Sequence, residues 1–462
     1  MKPEKGRTKR TRNHKDKNMR KNIFGKRFYD VTVIVTLLFL FQGLVSIVEG
    51  QEIKGITEIT KGSVDLTNPP DPFLGKACHY SGGWAFQLAP RTAALICGRF
   101  ISGTGNIDFI DGADLILFDD LGNISSDEAI SLTRNTALPG DSTFLMEGYP
   151  IGGFVPFGAK QKDGSTHPYA GSGFGLSYDR VMEIDASGHF DYRKRLDTYY
   201  TLFQFAYDEK GFRILKKERV EKNFLSGWDL VQVGLSSAIP DGNDLIVGMT
   251  ARFNNGNLTL SGIARWRHKE NGWRPVSFIP ITGYEDTWGE PTLIRDIDGN
   301  LLLSARGSGN ENFNVAVWRS MDNGETWKQI IHQKDFHARS PISLNQAADG
   351  TPYISANLFP QSRTREILCM WPLNADRTKL GELYITRDAR GQFGPAPSGS
   401  WWRVDHPISS ILRLADGKWH GILSYHIVDN GEVEGFGSLT PQTGCYIEEV
   451  FSRGKVIPIW KF

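Results

Sequence analysis

Beyond residue 50 the chain shows no sustained helical periodicity. Its apolar residues come in short runs separated by turns, and one unit recurs: a proline, a β-favouring run, an Asp-Gly pair and a second β-favouring run. The first copy opens at Pro291, turns at Asp298-Gly299 and continues NLLLSA to Arg306. The second opens at Pro341, turns at Asp349-Gly350 and ends at Asn357. The third opens at Pro407, turns at Asp416-Gly417 and runs to Ile427. Asp-Gly between such runs signals a hairpin, because the turn needs positive φ and glycine supplies it without steric cost. Weaker copies turn at Asp163-Gly164 and Asp241-Gly242. Repeats built only from strands predict propeller blades, each a four-stranded antiparallel sheet. The fold class is therefore all-β: about 400 residues at roughly 50–65 per repeat give a six- or seven-bladed β-propeller. It is expected to span residues 76–462 after a linker at 51–75, and to close by pairing its terminal strands so that no long edge is exposed.

Composition agrees with this. The chain is 40% hydrophobic and 11% aromatic, which excludes a disordered polymer, and its 50 glycines and 22 prolines suit many short strands and turns. The net charge of +1 conceals an asymmetry: residues 1–50 carry +8 and the remainder −7. An acidic globular part repels phosphates, so a nucleic-acid partner is not expected. The positive charge lies in the first 27 residues, ahead of an apolar run at 31–48. This reads as a secretory signal, with Met19 as an alternative start, or as an uncleaved signal anchor, since 18 apolar residues just span a bilayer. Both readings export the globular part: secreted, periplasmic or held at the cell surface, with membrane contact only through 31–48. The four cysteines (Cys78, Cys97, Cys369 and Cys445) fit no zinc spacing. Cys78 and Cys445 could close a ring, or all four could be small buried hydrophobes. No cofactor is expected, although propeller loops offer oxygen ligands to a structural calcium ion.

Residues equidistant from a hairpin turn face each other. Counting from Asp298 sets Glu290 opposite Arg306, and counting from Asp416 sets His406 opposite His426. Arg339 falls at the same end of the Asp349 hairpin. Tyr284, Glu285, Asp286 and Trp288 lie just before Glu290, and His167 is a further candidate in Ser165-Thr166-His167-Pro168-Tyr169. Blades repeat around an axis, so these ends share one face. Acids and histidines move protons there, arginines clamp carboxylates and rings stack on sugars. Each residue also has a purely structural reading: a sheet ion pair for Glu290 and Arg306, a satisfied histidine for His406, blade packing for Trp288.

The segment Ser320-Met-Asp322-Asn-Gly324-Glu-Thr326-Trp327 has the form of the Asp-box found between outer strands of sialidase-like propellers. From Gly289 onward the chain resembles the sialidase (neuraminidase) superfamily. The resemblance implies that Glu290 takes the place of an essential glutamate and Arg306 that of an arginine binding a substrate carboxylate. A further carboxylate-binding arginine falls at Arg365, with Arg363 its competitor, and an acid/base aspartate at Asp111 or Asp108. Two family residues have no counterpart. No arginine stands where the first of the family's triad belongs, and Ile408 occupies the position of the nucleophilic tyrosine. The resemblance thus implies an exported carbohydrate-active protein acting on an acidic glycan by glycoside hydrolysis. His406, two positions from the lost tyrosine, becomes a candidate acid or base, and hydrolysis by another route, elimination beside a uronate and binding without turnover stay open. A partner-binding propeller without glycan chemistry is the remaining class.

Overall fold

The computed structural model describes residues 56–64, 78–101, 110–139, 142–183, 195–221, 224–225, 227–253, 259–281, 288–307, 313–337, 340–358, 364–399, 401–430 and 440–462. All belong to one unit, Ile53–Phe462. The basic segment and the apolar run at 31–48 lie outside the described residues, as do Tyr284, Arg339 and Arg363. No helix among the described residues is long and apolar enough to cross a membrane.

Six antiparallel sheets follow one another along the chain, so the fold is a six-bladed β-propeller. The three Asp-Gly turns are hairpins, with Gly299, Gly350 and Gly417 at φ of 86°, 83° and 78°. They join the first two strands of blades 4, 5 and 6: Trp288–Arg295 to Leu301–Gly307, Ser343–Gln346 to Pro352–Asn357, and Trp402–Arg413 to Trp419–Asp429. Asp241-Gly242 turns a hairpin in blade 3, where Asp241 pairs with Asp244. Asp163-Gly164 instead turns within the connection between Ile151–Val155 and Ser172–Glu183 of blade 2.

The ring closes as its edge chemistry requires. Ile56–Val64 adds to blade 6 by pairing antiparallel with Gly444–Ser452, so the first and last strands share a sheet. These residues fall in the stretch read as a linker. They form a strand because ITEITKGSV is rich in β-branched residues and the last blade lacks its outer strand without them.

Hydrophobic layers fill the spaces within and between blades, and Trp84, Trp266, Trp273 and Trp402 are among the largest fully buried side chains. Trp266 stacks on Phe174 at 3.9 Å, joining blades 2 and 3. Cys97, Cys369 and Cys445 are buried free thiols, two of them in one cluster where blades 1 and 6 meet. The side chain of Cys78 is outside the described residues.

The turn Ser320–Trp327 joins the outer strands of blade 4. Asp322 accepts from Ser320 Oγ (2.7 Å), the Thr326 N–H (2.9 Å) and Thr326 Oγ1 (2.5 Å), while Trp327 Nε1 donates to the Gly324 carbonyl at 3.1 Å. Trp327 is only half-buried against its blade. Trp327→Ala is therefore expected to cost about 2 kcal/mol, below the ~3–5 kcal/mol of a fully buried indole. A chemical-denaturation midpoint measures it.

Candidate functional site

Proline shapes the end of the propeller where the candidate residues gather. It has no N–H for a ladder and is driven to edges and bulges. In blade 4, Gly289 pairs with Arg306 and Thr292 with Ser304, so Glu290 and Pro291 form a bulge. In blade 6, Asp405 pairs with His426 and Ile408 with Ser424, so His406 and Pro407 form the same bulge. Counting from the turns therefore erred by one position: Gly289, not Glu290, opposes Arg306, and Asp405, not His406, opposes His426. Glu290 and His406 share an unusual backbone, with φ of 49° and 56°. Such strain in a non-glycine residue persists only where the surroundings impose it, and it clusters at functional sites.

Both side chains line one cavity of about 150 Å³. Glu290 is fixed from two sides. Its N–H donates to Thr250 Oγ1 of blade 3 at 3.2 Å, and its carboxylate accepts from Arg306 Nη1 at 3.1 and 3.4 Å. His406 is held by Asp405, whose Oδ1 accepts from Nδ1 at 2.7 Å. Asp405 is fully buried and also accepts from Arg403 Nε (2.9 Å) and Arg365 Nη1, with His426 Nε2 2.5 Å away. Burial opposes its ionisation, but the surrounding guanidinium and imidazole groups hold its carboxyl well below the usual range. An ionised carboxylate only accepts, so the Nδ1 of His406 carries the proton and Nε2 is the nitrogen available to a ligand.

Three arginines, Arg306, Arg365 and Arg403, stand behind these groups. Arg365 is mostly buried, and burial lowers its pKa; Asp405 opposes that shift, while repulsion from Arg403 and Arg306 adds to it. His337, buried between elements, is brought down to about 4 by burial, against the hydrogen bond its ring donates to the Asn314 carbonyl and with repulsion from Arg306 and Arg365. His426 is likewise pushed to about 4 by burial, against the attraction of Asp405. Both histidines are thus uncharged in the fold, whereas the unfolded chain protonates them below the ordinary value near 6.5. The unfolded state binds more protons there, so stability is expected to fall between about pH 6.5 and pH 4. Urea midpoints across that range test this, and His337→Gln should flatten the slope.

Other expected residues are placed differently. His426 is buried and holds Asp405 rather than lining the cavity. Trp288 is buried edge-on against Trp318 at 5.1 Å, and its role is blade packing. His167 lies at the opposite end of the blades: its Nδ1 accepts from the Tyr169 N–H at 3.2 Å and its Nε2 meets the carbonyl of Gly242, in a turn remote from Thr250. The repeat was too degenerate there to show which end its loop occupied. Asp111 begins a strand of blade 1, Ile110–Phe118, but its side chain is outside the described residues. Ile408 is buried and offers no nucleophile.

Several site residues escaped the sequence reading. Arg403 and Asp405 alternate on one strand and so share a face, immediately before His406. Tyr149, Tyr178, Arg180 and Tyr200 complete the cavity wall from blade 2. Tyr149 carried a legible signal: Gly148-Tyr149-Pro150 matches Gly289-Glu290-Pro291, and Asp405-His406-Pro407 is a third X-Pro at the same structural position. Asp405, His406 and His426 present ligand atoms within 4.8 Å of one another, a spacing suited to a metal ion. Arg365 and Arg403 already occupy that carboxylate and would repel a cation.

No family model and no curated protein matches this sequence. Solved structures do resemble it. A mutant of the NanB sialidase from Streptococcus pneumoniae is 12% identical with a TM-score of 0.48, covering 88% of this chain and 72% of that one. The intramolecular trans-sialidase from Ruminococcus gnavus is 13% identical with a TM-score of 0.40, covering 82% and 97%. The α-L-arabinanase from Penicillium chrysogenum is 11% identical with a TM-score of 0.44, covering 87% and 100%. These neighbours are sialidases and a related glycosidase. At such identities the likeness is one of fold.

Proposed function

We propose that the protein is an exported glycosidase on a sialidase-like propeller, acting on a glycan that carries a carboxylate. The observation that carries this reading is the pairing of two oriented groups on one cavity, Glu290 held by Arg306 and His406 held by Asp405. In the hydrolytic step, water attacks the anomeric carbon and gives a proton to the Glu290 carboxylate. The bond to the leaving oxygen breaks, and His406, in its protonated form, donates its Nε2 proton to that oxygen. Asp405 stabilises the imidazolium, as a buried carboxylate does for any oriented histidine. No covalent intermediate is needed, which suits a site with Ile408 at the nucleophile position. Arg306 pairs with Glu290, and Arg365 and Arg403 pair with Asp405; guanidinium groups gathered at this end of the propeller favour an anionic ligand. The basic segment and the apolar run at 31–48 support export.

The experiment is a product assay of the full-length protein on sialosides and on uronate-containing polysaccharides. Reducing ends and the ultraviolet absorbance of unsaturated uronate are read in parallel. Reducing ends alone establish hydrolysis. Absorbance would replace it with elimination, His406 Nε2 taking the proton beside the carboxylate. Binding without either signal would make the propeller a lectin-like module and end the catalytic reading.

A further inference from the structure

Blade 2 contributes neither the acid nor the base, yet it builds one wall of the cavity. We propose that this wall, presented by Tyr149 and Tyr178 and edged by Arg180, is a subsite for a second sugar ring, so that the ligand is an oligosaccharide of at least two residues. The inference rests on the glycan reading above and goes further by specifying the ligand's length.

The wall is built with care that packing alone does not require. The inner strand of blade 2 is broken into Thr143–Met146 and Ile151–Val155, both paired with Ser172–Glu183. The break is pinned by buried Asp179, which accepts from the Gly148 N–H (3.0 Å), Ser177 Oγ (2.7 Å) and Thr201 Oγ1 (2.5 Å). A side chain at position 148 would meet the Tyr178 carbonyl at 2.6 Å, so only glycine passes there. Glu147, just before it, accepts from the Arg134 N–H at 3.1 Å and contacts Lys217. These contacts set Tyr149 at the cavity as the bulges set Glu290 and His406.

Tyr178 and Tyr200 are cross-strand neighbours with ring centroids 5.5 Å apart. Tyr200 belongs to the core and backs Tyr178, which is only half-buried. The guanidinium of Arg180 lies over the Tyr178 ring, 4.8 Å from its centre, and holds that ring in place from one side. A tyrosine offers an apolar face to the C–H side of a sugar ring and a hydroxyl to its polar edge, at small entropic cost. Glu290 and His406 line the same cavity. A ring resting on the tyrosines therefore lies beside the bond those two groups flank.

The test is calorimetric titration of the full-length protein with galacturonic acid, its di- and trisaccharide, sialic acid and 3′-sialyllactose. The expected result is a gain in affinity from one sugar to two. Tyr178→Ala should shrink that gain about tenfold, the worth of one aromatic contact, while Tyr178→Phe keeps it. If Tyr178→Ala does not fold, Arg180→Ala, at the wall's edge, takes its place. Equal affinity for one and two sugars, or a gain that Tyr178→Ala leaves intact, overturns the subsite while the glycan reading stands. Failure of every sugar to bind overturns the glycan reading, and the subsite with it.

Discussion

His406→Asn is expected to lower turnover by about a hundred- to ten-thousand-fold, the range for loss of a positioned proton donor, with little change in stability. Asparagine is the informative replacement. It tolerates the positive φ of this position better than alanine, so the change removes the chemistry without adding backbone strain. Asp405 keeps both arginine partners when the imidazole is gone, and no buried charge is stranded. Turnover in the product assay and the unfolding midpoint are measured on the same sample. Unchanged turnover would remove His406 from the chemistry. A fall in activity matched by a fall in stability would make it a structural residue.

Asp296→Ala is expected to cost about 3–5 kcal/mol, the largest single loss of stability among these predictions. Asp296 follows the inner strand of blade 4, at the start of its hairpin turn, and Arg377 lies in the connection between the outer strands of blade 5. Arg377 Nε and Nη2 each donate to the carboxylate at 2.8 Å, and both side chains are only 2% exposed. Removing one partner leaves a guanidinium buried without its counter-charge, which costs far more than the pair itself contributes. The double variant Asp296→Ala, Arg377→Asn should recover part of the loss, because neither charge is then buried. Urea-unfolding midpoints of the single and double variants check both statements. A loss under about 1 kcal/mol, the size of a surface pair, would show that water reaches the site on relaxation.

Much of the fold was legible because the signals are local. Asp298-Gly299, Asp349-Gly350 and Asp416-Gly417 turn where their residues require, and the runs around them pair as hairpins in blades 4, 5 and 6. Closure followed from the need to cover sheet edges. Repeat spacing alone left the blade number at six or seven, with six favoured by the resemblance, because the turns are spaced irregularly and the first three blades break or lengthen the repeat. The inner strands of blades 2 and 3 are each split in two.

At the site, residue types were readable and register was not. Glu290, Arg306, Arg365 and His406 do gather, but through bulges that shift each hairpin by one position. Trp288 and His167 looked equally suitable in the sequence and belong to the core and to the far end. Asp405 was passed over because an aspartate beside a histidine has no special local signature. Its importance comes from the burial that brings Arg365 to it from another blade.

The sequence by itself determined the strand class, the hairpins and the turn chemistry, since φ preferences act within a few residues. Only the tertiary structure decided which side chains share the cavity. That depends on six sheets closing around one axis, which brings residues from blades 2, 3, 4 and 6 together across more than two hundred positions of chain.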